Sequence, residues 1–393
     1  MTQRWRQEKL GYVCDFEGGS QPPKSQFKFE DRPGYVRFLQ IRDFGSDKNI
    51  TYIPVAKKNR LCFEDDILIG RYGASVGKIL TGKAGAYNVA LMKTLPDLSQ
   101  LHRSWFYYYL TSDEFQVRLL GIAARSAQAG FSKDDIFNFP VPLPPLAEQR
   151  RIVGILDEAF AGIAVAQRSA QQNLQNARAL FESHLQAIFT QRGDGWVETV
   201  FSDVCEISSS LVDPRKQEYQ HMPHVGGANI MSKTGELVDL KTAKDEGLIS
   251  GKFVFDESVI LYSKIRPYLM KVARPDFPGL CSADIYPLAS KGGILDKNYL
   301  FHLLLSPKFT EYAVKGSARA GMPKVNRDHL FAFRFYLPSV DSQRNFASQL
   351  DSLMCETQRL AALYEQKLTA LDELKKSLLA RAFAGELTSA AVA

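Results

Sequence analysis

The chain has 393 residues, 45% of them hydrophobic and 23% charged, which is ordinary for a soluble globular protein of two or three domains. Five scattered cysteines in no CxxC or ligand-like spacing argue against a disulfide framework and for reduced thiols. The net charge of +6 is mild and unevenly placed, with the basic excess mainly in residues 1–145 and a slightly acidic stretch at 339–393. The opening MTQRWRQEKL lacks the apolar core of a secretion signal, and no run approaches the length of a membrane span, so a cytoplasmic protein is expected.

Residues 1–145 read as a mixed α/β module. Short apolar runs such as Phe38-Leu39-Gln40-Ile41 and Ile67-Leu68-Ile69, bounded by Gly, Pro, Asn and Asp, have the length of strands. The aromatic run at 105–109 suits base stacking, but its helical spacing favours packing in a core. The basic excess of residues 1–145 is compatible with nucleic-acid contact, and candidate DNA contacts lie on three stretches: Arg37, Gln40 and Arg42 near the first strand; Arg71, Tyr72, Ser75 and Lys78 on the loop at 70–78; and Arg125, Gln128 and Lys133 further on. Ser132 reads as the N-cap of a short helix. The glycine-rich loop is not a phosphate-binding P-loop, which needs Gly at 72 and Ser or Thr at 79, where Tyr72 and Ile79 stand.

At Phe139-Pro140-Val141-Pro142-Leu143-Pro144-Pro145-Leu146 the texture changes to a helical period. Through 146–192, Ile152, Leu156, Ala159, Ile163, Ala166, Ala170, Ala177 and Leu180 follow a 4-3 spacing with Asn173 in the stripe, the seam of a two-helix coiled coil. Roughly 45 residues at a rise of about 1.5 Å make a rod on the order of 65–70 Å long.

Residues 193–338 then repeat the first module. Shifting the chain by 194 positions lays Trp105 over Tyr299, Phe115 over Phe309, Arg125 over Arg319, Gln149 over Gln343 and Asp157 over Asp351. Nearer the start of each copy the shift is 191, pairing Trp5 with Trp196 and Cys14 with Cys205. The matching DNA-contact candidates are His224, Asn229 and Lys233; Lys264, Arg266, Tyr268 and Lys271; and Arg319, Lys324 and Arg327, with Asn326 as an N-cap. Basic residues recur at 125/319 and 133/327 while Gln128 becomes Met322, a pattern suited to a shared phosphate clamp beside a variable base-reading position. Residues 339–393 hold the second rod and a tail, with Phe346, Leu350, Leu353, Thr357, Leu360, Tyr364, Leu371, Leu374 and Leu378 on one stripe and Lys367 within it. Neither stripe is stable alone in water, so the two rods are expected to pair antiparallel, with Asn173 and Lys367 meeting to fix register.

The junctions carry a signature. Pro142-Leu143-Pro144-Pro145-Leu146-Ala147-Glu148-Gln149-Arg150-Arg151-Ile152 through Leu156-Asp157 resembles the "PLPPLxEQxxIxxxLD" junction of the specificity subunit (HsdS) of type I restriction–modification enzymes. The second copy is degenerate, with Ser339 and Ser342 in place of Pro145 and Glu148. The ending at 376–387, the loop at 70–78 and the opening around Trp5 and Leu10-Gly11-Tyr12-Val13 resemble that family too. The resemblance implies an α+β fold: two similar mixed α/β target recognition domains separated by two long antiparallel coiled-coil helices, a pseudo-two-fold internal repeat. It also implies a bacterial or archaeal DNA reader for a bipartite, asymmetric target. On that reading the chain binds no cofactor. Its partners are double-stranded DNA, two S-adenosylmethionine-using methyltransferase subunits docked on the long helices, and translocase/nuclease subunits. Half-sites about one helical turn apart, on the order of 34–36 Å, suit readers on a rigid spacer.

No chemistry of its own is expected, because neither an [ND]PP[YF] nor an FxGxG methyltransferase motif occurs. The Glu365-Gln366-Lys367 and Glu373-Leu374-Lys375 triplets read as solvated rod charges, and His221-Met222-Pro223-His224 as a surface turn without a third metal ligand. Two other readings compete: a protein-interaction scaffold without DNA affinity, and the specificity subunit of a system that methylates without restricting.

Overall fold

The computed structural model describes residues 5–124, 130–317 and 323–387. It divides into two compact units, 1–169 with 367–393 and 170–366, so each of the two long helices contributes to both units.

In the first unit, strand Arg6–Lys9 pairs antiparallel with Pro140–Leu143, the strand that leads into the first long helix. A four-stranded sheet runs in the order Cys14–Gly18, Leu91–Pro96, Leu68–Gly70, Ile79–Leu80. A second runs Tyr52–Pro54, Tyr35–Leu39, Gly85–Tyr87, Leu61–Cys62, with the middle pair parallel. Helices Arg103–Thr111 and Asp113–Ala123 follow. The aromatic run lies inside: Trp105, Phe106 and Tyr109 are fully buried, so packing and not base stacking accounts for it.

The second unit repeats this plan. Val197–Val200 pairs with Arg334–Leu337, and a four-stranded sheet runs Cys205–Ile207, Ile285–Ser290, Ile260–Ser263, Val272–Ala273. Its other sheet has five strands: Lys241–Thr242 beside Pro223–Val225 matches Tyr52–Pro54 beside Tyr35–Leu39, and the extra strand is Leu211–Val212, at the opposite edge beside Lys252–Phe255. Helix Lys297–Leu305 is buried at every position from Tyr299 to Leu305.

The long helices run Leu146–Thr190 and Val340–Phe383. In the first unit, Ile152, Val153 and Leu156 share a core with Leu379, Ala382 and Phe383, and Gln167 donates to Asp372 at 2.7 Å. In the second, Leu185, Ile188 and Phe189 share a core with Ala347, Leu350 and Met354, and Arg178 pairs with Glu365 at 2.7 Å. Within each unit the start of one helix therefore meets the end of the other, an antiparallel pairing. The second helix stops at Gly385, whose φ of +75° is the left-handed conformation that closes a helix.

The seam differs from the expected stripe at its middle. Asn173 and Lys367 are exposed, Leu174 is buried in place of Asn173, and Leu180 and Leu374 are about half exposed. A 3.6-residue helix drifts about 20° per heptad from a 3.5-residue repeat, so a stripe read from Ile152 has moved by more than half of one residue's rotation at Asn173, three heptads on.

The junction glutamines explain the signature motif. Gln149 is fully buried; its Nε2 donates to the carbonyls of Gln100 (2.7 Å) and Pro144 (2.9 Å), and its Oε1 accepts from the His102 amide (2.7 Å). Gln343, equally buried, donates to Ile294 (3.0 Å) and Pro338 (2.9 Å) and accepts from Asp296 (2.8 Å). Every partner recurs 194 positions on, so each glutamine locks a long helix to the loop entering its module's helices. The other junction residues are looser. Ser339 replaces Pro145 and caps its helix, its Oγ accepting from the Ser342 amide at 3.3 Å.

About two turns further along, Tyr108 donates to Asp157 in the first unit, and His302 Nε2 meets Asp351 at 2.8 Å in the second. Arg274 joins the latter pair at 2.9 Å. Burial works to raise the Asp351 carboxyl, but the hydrogen bonds from His302 and Arg274 outweigh it and hold it at about 2. Burial pushes His302 down, and the adjacent carboxylate only partly restores it.

Candidate nucleic-acid interface

In each module, a loop leaves the sheet after a buried strand and is pinned by the stretch that precedes the short capped helix. In the first module this is the loop after Leu68–Gly70: Tyr72 bridges Gly130, and Arg71 Nε donates to the Phe131 carbonyl at 3.2 Å. In the second it is the loop after Ile260–Ser263: Ile265 bridges Lys324, and the Arg266 amide donates to the Pro323 carbonyl at 2.8 Å. Two stretches far apart in sequence, both expected to touch DNA, are thus neighbours in both copies. Short helices follow at Lys133–Phe137 and Arg327–Phe331, capped by Ser132 and Asn326.

The candidate side chains fall into two groups. Several are tied into the fold. Arg37 pairs with Asp47, whose carboxyl is held below its usual range by Lys83 and Arg37 together. Gln40 caps a turn through Asp43, and Arg71 lies over the Tyr72 ring, 5.0 Å from its centroid. His224 is buried with Nδ1 2.8 Å from Glu246; burial depresses its basicity and Glu246 partly offsets this. Asn229 closes its own turn, accepting from Gly226 and donating to Val238. Lys233 pairs with Glu182 at 2.7 Å, and Lys271 donates to the Gly227 carbonyl. Lys264 is buried beside Asp284, and burial, followed by neighbouring Lys324, lowers its basicity.

The other group faces solvent. Tyr72 is 40% exposed and Tyr268 52%. Ser75 is half-buried, its amide closing the turn onto the Tyr72 carbonyl. Arg42 is exposed, with a long contact to Asp43 at 3.9 Å; Lys133 reaches Asp15 at 3.8 Å and Lys324 reaches Asp284 at 3.7 Å. Such loose surface pairs are readily exchanged for phosphate. Lys78, Arg266 and Arg327 are exposed, with no side-chain hydrogen bond or ion pair among the described residues. Arg125, Gln128 and Arg319 lie outside the described residues.

One positioning residue escaped the sequence reading. Gln116 donates to the Gly77 carbonyl at 2.9 Å and to Leu110 at 2.6 Å, fastening the first loop to its helix pair. Thr310 stands 194 positions on, so no repeated residue type flagged it.

Comparison with known proteins gives this arrangement its context. The family described as "Type I restriction modification DNA specificity domain" matches residues 3–174 and 193–368. The chain is 27% identical to the type I restriction enzyme EcoDI specificity subunit of Escherichia coli, over 98% of this chain and 89% of that one. It is 20% identical to the type I restriction enzyme MjaVIII specificity subunit of Methanocaldococcus jannaschii, over 98% and 93%. A chain solved in work on "Structural basis underlying complex assembly and conformational transition of the type I R-M system" matches with a TM-score of 0.77 at 16% identity, covering 98% of this chain and 99% of that one. The HsdS subunit from Thermoanaerobacter tengcongensis matches with a TM-score of 0.58 at 17% identity, covering 98% of each. At these identities both structures speak to the fold alone. Among the described residues, no helix is long and apolar enough to cross a membrane.

Proposed function

The chain belongs to the type I restriction–modification DNA specificity family, and from that premise we propose that it is the non-catalytic reader of a bipartite, asymmetric DNA target. Each module reads one half through its paired loops, and the stretch between the halves goes unread. The observation that carries this reading is the repeated juxtaposition of loop and capped helix, bridged at Tyr72–Gly130 and at Ile265–Lys324. The frame recurs while the outward side chains differ, which suits two readers of different sequences. Exposed lysines and arginines supply phosphate contacts and register, and side chains at the loop tips meet base edges.

Methylation of adenine falls to S-adenosylmethionine-dependent methyltransferase subunits, two of them, recruited on the long helices; translocase/nuclease subunits complete a restricting assembly. Half-exposed leucines on those helices, Leu180, Leu363 and Leu374, support a role in partner contact. The test is binding of the purified chain with its methyltransferase to duplex DNA. One bipartite sequence should be preferred, with affinity falling steeply as salt rises. Salt-independent binding without sequence preference would favour a protein scaffold instead, and methyl transfer by the chain alone would refute the non-catalytic role.

A further inference from the structure

The two candidate loops share their closing bond and two left-handed positions, although their sequences share almost nothing and their short 3-10 turns, Gly73–Ser75 and Pro267–Leu269, sit one residue out of step. Gly70 N donates to Lys78 O at 2.9 Å in the first, and Ser263 N to Lys271 O at 3.0 Å in the second. Within them, Val76 N donates to Gly73 O at 3.2 Å and Leu269 N to Arg266 O at 2.9 Å. These bonds and the two bridges align the loops so that Arg266 stands where Gly73 stands, and Met270 where Gly77 stands. The φ angles agree: +59° at Gly73 and +50° at Arg266, +81° at Gly77 and +51° at Met270.

Glycine adopts that conformation freely, whereas an L residue sets its Cβ against the following carbonyl. Around Gly73 no atom lies within 4 Å of where a Cβ would sit, so a side chain on this tip projects into open space. Arg266 accordingly is exposed and has no side-chain hydrogen bond or ion pair among the described residues, whereas Lys264 and Lys271 on either side are bonded internally. The fold gains nothing from arginine here, and glycine would suit the backbone better. Strain carried by an outward side chain on a pinned loop is a mark of function. The main-chain bond from Arg266 to Pro323 fixes the root of that side chain, which a diffuse phosphate contact does not require.

We propose that Arg266 is a specificity-determining residue that reads a guanine in the half-site of the second module, and that Gly73 leaves the first module without this readout. The chemistry is the match between a planar guanidinium fork and the O6 and N7 acceptors of guanine in the major groove. The proposal rests on the DNA-reader function proposed above.

The test is a map of methylated adenines in DNA from cells making the full chain, as wild type or Arg266→Gly, together with its methyltransferase. Glycine keeps the positive φ, so the variant should fold and melt no lower than wild type. The wild-type motif should hold a guanine that becomes degenerate in the variant at one base pair of one half, with discrimination there falling about ten-fold or more. The other half should be unchanged. Arg266→Asn, which also tolerates this conformation, should give the same result should the glycine variant prove unstable. Uniform loss at all sites with the motif intact would make Arg266 a phosphate contact and overturn the proposal, as would an unaltered map. A wild-type assembly that methylates no defined sequence would instead defeat the DNA-reader function itself, and this proposal with it.

Discussion

Replacing Gln343 with alanine removes three hydrogen bonds at once, one buried and two part-buried: those from its amide to Pro338 and Ile294, and the one it accepts from Asp296. Each such bond contributes about 1 kcal/mol net, and each backbone group left buried without a partner adds to the loss, so the sum is about 3–5 kcal/mol. For a unit of this size that lowers the melting temperature by roughly 6–20 °C. Urea denaturation gives the magnitude, and hydrogen exchange gives the place: protection should fall first near Asp296 and at the start of the second long helix. Gln149→Ala should do the same in the first unit. Glu148→Ser, which copies the second junction, should change stability by less than about 0.5 kcal/mol, because the Glu148 side chain makes only a 3.8 Å contact with Arg151. A loss below about 1 kcal/mol for Gln343→Ala, or exchange raised equally in both units, would refute the clamp.

Other outcomes follow from the same structure. Phe383 lies against Trp105, their ring centroids 4.5 Å apart, so Phe383→Ala should destabilise the first unit by about 3–5 kcal/mol in urea, although the two residues are 278 positions apart in the chain. The second unit should weaken in acid sooner than the first. Burial keeps His302 and His224 neutral when folded, so their contribution is present above the unfolded histidine pKa and is lost as pH falls below it. Asp351, held at about 2, adds a further loss between the ordinary aspartate range and that value. His302→Tyr, which copies Tyr108, should reduce the first of these losses in a series of melts from pH 8 to 5; an unchanged pH profile would contradict the assignment. Lys78→Ala, Arg125→Ala or Arg319→Ala should weaken binding to all sequences alike and flatten its dependence on salt; a loss confined to one base position would contradict phosphate contact.

The repeat, the junctions and the two long helices were legible because each leaves a periodic or proline-marked trace in the sequence. Ser132 and Asn326 were readable as caps because capping depends on a residue and its next few neighbours. The middle of the helical seam was not, since a small drift in period moves Asn173 and Lys367 out and Leu174 in. For the candidate site, the sequence named the stretches but not how their side chains are held. The bonding of His224 to Glu246 and of Lys264 to Asp284 depends on folded neighbours some twenty residues away. The shared left-handed positions of the two tip loops were hidden because the second copy has no glycine to announce them.

The central claim is that each module reads one half of a split DNA target. Its most direct measurement is a map of methylated adenines in cells that express the chain with its methyltransferase, repeated after residues 193–338 are exchanged for the corresponding module of a relative. A two-part motif is predicted, with one half replaced and the other retained after the exchange. A continuous motif, or an exchange that alters both halves together, would contradict the account.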